Sequence, residues 1–219
     1  MTQQVREIPL FPLNVVLFPN MVLPLHIFEE RYKQMISMCL GNNNLFGVVL
    51  IKEGPEVGGI ALPHETGTIA HITRVTYLSE GRMTLVTLGK HRFQLEAVTQ
   101  QTPYLMGKVR IIDPEEVGDP HPTDIEIEEL QATLASYLKS LLGLQGGWVR
   151  KVESPVDPVA LSFYISTILR GNNDFLQTIL ESPSAAKRLN ILRPVLDAAA
   201  RKTQHELRQR MAREINHLN

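Results

Sequence analysis

The apolar segment at residues 8–28 reads IPLFPLNVVLFPNMVLPLHIF, and it constrains the fold more than any other part of the chain. Leucine, valine, isoleucine and phenylalanine dominate it, but prolines interrupt it at short intervals, at Pro9, Pro12, Pro19 and Pro24. A proline has no backbone N–H and clashes with the preceding helical turn, so neither a helix nor a membrane span can run through this segment. We therefore predict short strands that form the first strand pair of a β-rich core, with strand structure resuming as far as Leu17 after a turn at Asn14.

Short apolar runs separated by turn-forming residues continue to residue 112. Helical spacing of apolar residues predicts one early helix over residues 28–40. Further strands are predicted at residues 45–52, 67–78, 83–88, 92–98 and 104–112. The sequences at 79–82 and 89–91 are predicted to be hairpin turns between them. Many short strands with regular turns favour a closed or nearly closed small barrel.

The second half of the chain is predicted to be helical. Residues 113–123 are acidic and rich in proline, which is typical of a linker. A hydroxyl followed by a carboxylate three residues later predicts a helix start at Thr123, and an Asp-Pro pair predicts another at Asp157. Pro194 is expected to kink the last helix or to begin its second piece. The predicted fold class is α+β, with a β-barrel at residues 1–112, a linker at 113–123 and a helical bundle at 124–219.

Composition and charge exclude several classes of protein. The chain has 219 residues, of which 43% are hydrophobic and 21% charged, and its net charge is −1. This balance does not favour binding to nucleic acid or to an acidic membrane surface. The basic stretch from Lys187 onward, which includes Arg188, is interpreted as a solvated helix face. The alternative is that this stretch and the acidic one at residues 113–129 attract each other or separate partners. A single cysteine, Cys39, excludes an intramolecular disulfide, and the absence of a signal-peptide pattern leads us to expect a cytoplasmic protein.

Motifs that would carry catalysis are missing or incomplete. The sequence has no phosphate-binding G-x-x-x-x-G-K-[S/T] motif, and its histidines form no zinc-binding pattern, so we expect no catalytic residue, no cofactor and no metal site. Two S-x-x-K matches, beginning at Ser136 and Ser184, lack the companion motifs of serine acyl-enzymes, and Ser184 is predicted to cap a helix. Cys39 lies among apolar residues, which disfavours a reactive thiolate. Arg92 precedes Phe93 and is interpreted as a surface charge beside a core aromatic residue.

Two surfaces are candidates for binding a partner. Trp148 is the only tryptophan and is flanked by glycines and by Arg150, so it is either a plug over the core or an exposed anchor for a partner. The second candidate is the loop from Gly54 to His64, where an exposed apolar patch is expected. Its predicted contact residues are Pro55, Val57, Pro63 and His64.

Five distinctive stretches follow one another along the chain: residues 8–25, 46–49 (FGVV), 67–72 (GTIAHI), 88–93 (LGKHRF) and 175–189. In this order they resemble the N-terminal substrate-binding domain of Lon-type ATP-dependent proteases. The proline-punctuated opening at residues 8–25 is similar to the first signature of that family, and Phe46-Gly47-Val48-Val49 is similar to its next strand. The most specific match is Gly67-Thr68-Ile69-Ala70-His71-Ile72, which resembles its G-T-x-A-x-I strand. Leu88-Gly89-Lys90-His91-Arg92-Phe93 and the helical pattern at residues 175–189 extend the resemblance over nearly the whole chain.

The resemblance implies a PUA-like β-barrel followed by a helical bundle, in a domain that recognises unfolded or tagged proteins. The ATPase and Ser–Lys peptidase modules of the full proteases have no counterpart in these 219 residues, so we expect a non-catalytic binding module. Its expected partners are unfolded or client polypeptides, with an ATP-dependent protease as a further candidate. The alternative is RNA binding, because PUA-like barrels also occur in RNA-binding proteins, although the near-neutral charge disfavours it. A third class, an enzyme with an unrecognised site, has no candidate residues.

Overall fold

A computed structural model describes residues 5–59, 61–112, 122–169 and 171–217. These residues divide into two compact units. The sheet unit contains residues 5–112 and 171–181, and the helical unit contains residues 122–169 and 182–217. The predicted linker at residues 113–123 lies outside the described residues, apart from its last two.

The secondary structure combines a six-stranded sheet with five α-helices in the described residues. The predicted α+β fold class is confirmed. In chain order, the elements are β1 (Val5–Leu13), β2 (Val22–Ile27), α1 (Glu30–Leu40), β3 (Leu45–Glu53), β4 (Leu62–Tyr77), β5 (Met83–Gln100), β6 (Leu105–Ile111), α2 (Asp124–Leu144), α3 (Pro158–Ile168), α4 (Asn173–Glu181) and α5 (Ala185–His217).

The sheet closes on itself through its longest strand. Its order is β2-β5-β4-β3-β1-β6, and β5 also pairs with β6. Closure is possible because β5 is long. The first half of β5 pairs with β2 and its second half pairs with β6, and β4 pairs with the opposite edge of β5. Only the pairing of β1 with β3 is parallel among the described strands. The predicted small barrel is therefore present, and its ring contains β5, β4, β3, β1 and β6.

The opening segment forms strands, but they do not pair with each other as predicted. β1 pairs with β6 over Val5–Leu10 and with β3 over Leu10–Leu13, whereas β2 pairs with β5. Because β1 changes partner at Leu10, each half of it pairs along one side only among the described strands, and a strand paired on one side can contain prolines such as Pro9 and Pro12. The strand predicted as far as Leu17 is also wrong, because residues 14–21 form an irregular segment.

This irregular segment packs against a bulge in β5, where a turn was predicted. Thr68 faces Arg92 and Ala70 faces Gly89, so β5 has one residue more than β4 at this point and runs through residues 89–91 as one strand. The Gly89 N–H donates to the Met21 carbonyl oxygen, and the Gly89 carbonyl accepts from the Asn20 N–H, both over 2.9 Å. A Cβ atom on Gly89 would lie 2.2 Å from the Phe18 carbonyl oxygen, so the approach requires glycine.

Two helix starts in the helical unit follow the sequence prediction. The Glu126 N–H donates to Thr123 Oγ1 over 3.3 Å, and the Thr123 N–H donates to Glu126 Oε2 over 2.8 Å, which completes the predicted capping box of α2. Asp157 accepts a hydrogen bond from the Ala160 N–H over 2.7 Å at the start of α3. α5 is one helix with Pro194 inside it, so no second piece begins at this proline.

The burial of Arg188 contradicts the interpretation of the whole basic C-terminal stretch as a solvated helix face. The Arg188 side chain is completely buried in the helical unit. The guanidinium lies 4.3 Å from the centre of the Phe163 ring, Nε donates to Ser162 Oγ over 2.9 Å, and Nη1 donates to the Ser182 carbonyl. A buried arginine needs such partners, and they come from positions up to 26 residues away in the chain, which local patterning does not reveal.

Candidate functional site

A groove opens in the sheet unit where β4 and β5 separate. The pairing between these strands ends at Thr66 and Gln94. Beyond this point, the start of β4 pairs only with β3, and the end of β5 pairs only with β6, among the described residues. The walls of the groove are therefore two neighbouring strand edges, Leu62–Thr66 and Gln94–Val98.

Irregularities in both strands account for their separation. Val49 faces Gly67 and Ile51 faces Pro63, so β4 has two residues more than β3 in this interval. On the other wall, Leu95 faces Val109 and Ala97 faces Lys108, so β5 has one residue more than β6. Bulges bend a strand and increase its twist, which moves the two edges apart.

The groove has a volume of about 770 Å³ and is open to solvent. Besides the two strand edges, Lys52 at the end of β3 and Glu181 at the end of α4 line it. A smaller cavity of about 340 Å³ shares Leu62, Pro63 and Val98 with it. This second cavity extends the lining to Glu53, Gly54, Ala61, Gln101 and Leu105.

The groove combines apolar side chains with carboxylates. Leu62 is 52% exposed and Val98 is 40% exposed, which leaves one large apolar side chain well exposed on each wall. The carboxylates are those of Glu65, Glu96 and Glu181, against one lysine, Lys52. The lining residues therefore carry net negative charge.

Hydrogen bonds and ion pairs hold the carboxylates in place. Gln94 Nε2 donates to Glu65 Oε2 over 3.2 Å across the inner end of the groove. Glu96 pairs with Arg110 over 3.1 Å, and Glu181 Oε1 lies 3.6 Å from His64 Nδ1. Such partly exposed pairs position side chains more than they stabilise the fold.

The end of α4 is attached to the sheet at the point where the two strands separate. Gln177 is buried, and its Nε2 donates to the Thr66 carbonyl over 3.0 Å and to Glu181 Oε1 over 2.7 Å. Arg92 Nη1 donates to the Leu180 carbonyl over 2.7 Å. Arg92 is almost completely buried, so its interpretation as a surface charge is wrong. Sequence reasoning missed both residues, because their partners lie 111 and 88 positions away.

The predicted contact residues lie in three places. Pro63 and His64 line the groove. Pro55 and Val57 lie in the loop before it and are not among the lining residues. Trp148 and Arg150 belong to the helical unit, in the irregular segment between α2 and α3. Trp148 is 84% exposed and does not plug the core of its unit.

The loop before the groove is tied to the start of α1. Arg31 Nη1 donates to the Gly59 carbonyl over 2.7 Å, and Glu29 Oε2 accepts from the Gly58 N–H over 3.3 Å. Glu29 and Arg31 also form an ion pair over 3.0 Å. These contacts position the chain as it enters β4.

Cys39 and the two serines of the S-x-x-K matches have roles in packing, in a helix cap and in hydrogen bonding. Cys39 is buried, and this burial raises the pKa of its thiol to about 11, which disfavours the nucleophilic thiolate at neutral pH. Ser184 accepts a hydrogen bond from the Lys187 N–H, as a helix cap does, and Ser136 accepts one from Gln204 Nε2. Within the described part of the chain, no three histidine, cysteine, aspartate or glutamate side chains cluster in a way that could hold a metal ion. None of the helices in the described part of the chain is long and apolar enough to cross a membrane.

Comparison with known proteins identifies the family. The sequence profile described as the ATP-dependent protease La (LON) substrate-binding domain matches residues 7–198. The chain belongs to the Lon substrate-binding domain family. This match includes the whole of the groove, and it confirms the resemblance found in the sequence motifs.

Individual relatives carry the name Lon protease. The chain is 37% identical to a Lon protease of Parabacteroides distasonis over 138 residues, which are 62% of this chain and 16% of the relative. It is 25% identical to a Lon protease of Syntrophus aciditrophicus over 194 residues, which are 83% of this chain and 24% of the relative. The chain thus spans less than a quarter of the length of these relatives.

Solved structures show the same fold at lower identity. A Lon N-terminal domain protein from Xanthomonas campestris superposes with a TM-score of 0.66 and 22% identity, covering 86% of this chain and 98% of that one. The N-terminal domain of a Mycobacterium avium complex Lon protease gives a TM-score of 0.60 and 22% identity, covering 87% and 98%. The Lon N-terminal domain fold therefore extends over most of this chain.

Proposed function

We propose that this domain is a non-catalytic module that captures unfolded segments of client proteins for ATP-dependent proteolysis. The observation that carries the proposal is the groove between β4 and β5, which exposes Leu62 and Val98 inside a cavity of about 770 Å³. The groove lies within residues 7–198, which match the substrate-binding domain of a protease, and this supports a protein as the ligand.

The chemistry of the groove suits an unfolded client better than a folded one. Folded proteins bury most of their large apolar side chains, whereas unfolded segments present them. A groove with one large exposed apolar side chain on each wall gains free energy when such a segment covers both. Full burial of a valine or leucine side chain contributes about 2 kcal/mol, so covering the exposed parts of Leu62 and Val98 contributes about 1 kcal/mol each.

The same groove disfavours RNA as the ligand. Three carboxylates and one lysine line it, and phosphate groups bind where positive charge is in excess. Binding to an RNA oligonucleotide that weakens steeply with salt would support the alternative and argue against this proposal.

A second contact surface is proposed on the helical unit. Trp148 and Val156 are highly exposed, and Arg150 belongs to the same irregular segment between α2 and α3. Tryptophan and arginine are enriched among the residues that dominate binding energies. Replacement of Trp148 by alanine is expected to weaken client binding about tenfold, and unchanged affinity would remove this surface from the proposal.

The test of the groove compares a folded client protein with its unfolded form. Fluorescence anisotropy would measure the affinity of a labelled model protein in its native form and after reduction and carbamidomethylation, which adds no charge. The unfolded form is expected to bind and the native form is not. A Leu62→Thr/Val98→Thr variant is expected to bind about tenfold more weakly, because it places hydroxyl groups where apolar contacts form.

The matched control is Val22→Thr, which changes a 58% exposed valine of β2 that does not line the groove. This variant should retain wild-type affinity. Equal binding of native and unfolded protein, or equal affinity of the groove variant and the control, would refute the proposal.

A further inference from the structure

The two walls of the groove differ from ordinary cavity walls because both are strand edges. Among the described residues, no backbone pairs with Leu62–Glu65 of β4 or with Leu95–Val98 of β5 on the groove side. An open strand edge presents a row of backbone N–H and C=O groups, which an extended polypeptide can satisfy by adding a strand.

The edge of β5 is better suited to pairing than the edge of β4. Pro63 lies in the middle of the β4 edge and has no N–H to donate. The β5 edge at Leu95–Val98 contains no proline. Its other side is already paired with β6, where Leu95 faces Val109, Ala97 faces Lys108 and Val98 faces Gly107. This pairing fixes the backbone of the β5 edge, including the bulge between Leu95 and Ala97, before any ligand arrives.

The volume of the groove matches a short extended segment. One residue of a strand occupies about 160 Å³, given a rise of about 3.3 Å, a strand spacing of about 4.8 Å and a sheet thickness of about 10 Å. A cavity of about 770 Å³ therefore holds roughly five residues of extended chain. Five residues correspond to the length of either wall, Leu62–Thr66 or Gln94–Val98.

The charges of the groove restrict which segments fit. Glu65, Glu96 and Glu181 favour lysine or arginine among the side chains of the ligand. They also disfavour a second copy of this chain, because two identical β5 edges would bring their Glu96 carboxylates near each other.

We infer that a client segment of about five residues binds by adding a strand to the edge of β5 at Leu95–Val98, with apolar side chains alternating with lysine or arginine. This inference rests on the proposed function and specifies how the client is held. The apolar side chains contact Leu62 and Val98, and the basic ones face the carboxylates of the lining.

The test uses the wild-type protein and peptides that differ only in backbone methylation. The parent is a labelled eight-residue peptide in which valine alternates with lysine, acetylated at one end and amidated at the other. One derivative is N-methylated at the valines and the other at the lysines. In an extended strand, alternate N–H groups point to opposite sides, so only one derivative loses the donors that face β5.

We expect one derivative to bind at least tenfold more weakly than the parent, and the other to stay within about threefold. Hydrogen exchange of the backbone amides at residues 95–98 should slow at least tenfold when the parent peptide saturates the protein. A peptide with glutamate in place of lysine is expected to bind at least tenfold more weakly.

The outcomes separate this inference from the proposed function. Binding that is equally sensitive, or equally insensitive, to the two methylation patterns would overturn strand addition while leaving client capture intact. Failure of both the parent peptide and the unfolded model protein to bind would refute the proposed function as well. A dimer in sedimentation experiments that protects the amides of residues 95–98 without peptide would assign the edge to a second copy and overturn the inference.

Discussion

Replacement of Gly89 by alanine tests the packing of the opening segment against the sheet. The added Cβ would lie 2.2 Å from the Phe18 carbonyl oxygen, 3.1 Å from the Phe18 carbonyl carbon and 3.3 Å from Leu17 Cγ. The first two contacts are with backbone atoms, which cannot rotate away as the end of a side chain can. The irregular segment at residues 14–21 must therefore move away from β5.

The expected cost follows from this displacement. Overpacking in a well-packed region costs about 1–3 kcal/mol. The displacement also weakens the two hydrogen bonds that join Gly89 to Asn20 and Met21, which contribute about 1 kcal/mol each. We expect Gly89→Ala to lower the free energy of unfolding of the sheet unit by about 3–4 kcal/mol.

The measurement must report on the sheet unit alone. Trp148 lies in the helical unit, so tryptophan fluorescence is unsuitable. Native-state hydrogen exchange at the amides of β3, β4 and β5 gives the free energy of opening of the sheet directly. The control is Gly41→Ala, because a Cβ there would have no neighbour closer than 3.7 Å and the backbone φ is −78°. A Gly89→Ala variant that stays within about 0.5 kcal/mol of this control would refute the close approach of Phe18.

Three further predictions concern the start of α2 and the single cysteine. Thr123→Ala should lower the free energy of unfolding of the helical unit by about 1 kcal/mol, measured by circular dichroism in urea. Hydrogen bonds from the Thr123 backbone and hydroxyl lower the pKa of Glu126, so its contribution to stability is present above its ordinary pKa and is lost as the pH falls through the lowered value. Glu126→Gln should remove that pH dependence, and identical acid profiles of wild type and variant would contradict the capping box. Because the pKa of the Cys39 thiol is raised to about 11, a disulfide reagent at pH 8 should react at least about 100-fold more slowly with folded than with urea-unfolded protein. Comparable rates in the two states would show that the thiol is exposed.

The groove could be predicted from the sequence only in part. Pro63 and His64, which line the groove, are predicted contact residues because they end a glycine-rich loop, and loops often carry binding residues. The opposite wall at Gln94–Val98 was treated as an ordinary strand, because no local pattern shows that its neighbour has moved away. Trp148 was identified by its rarity, but rarity alone did not distinguish a buried plug from an exposed side chain.

Local chemistry in the sequence determined most of the helices and strands, two helix starts and the family, but not the irregular segment at residues 14–21 or the unbroken strand at residues 89–91. The hydroxyl and carboxylate at Thr123 and Glu126 act within one turn of helix, so their spacing is sufficient to predict the cap. Prolines excluded a helix from residues 8–28 by the same kind of local constraint. The order of short motifs is sufficient to indicate the Lon substrate-binding family, because each motif is a local feature of the sequence.

Tertiary structure alone decided which strands pair, where the sheet closes and where it opens. β1 pairs with β3 and β6 rather than with β2, and Thr66 and Gln94 form the last pair before the groove. Burial of Arg92 and Arg188 likewise depends on partners far away in the chain. Strand register and burial are set by the packing of many distant residues at once, whereas caps and turns depend on a few neighbouring ones. The groove results from bulges in two pairings, between β3 and β4 and between β5 and β6, and so it exists only when the sheet is assembled.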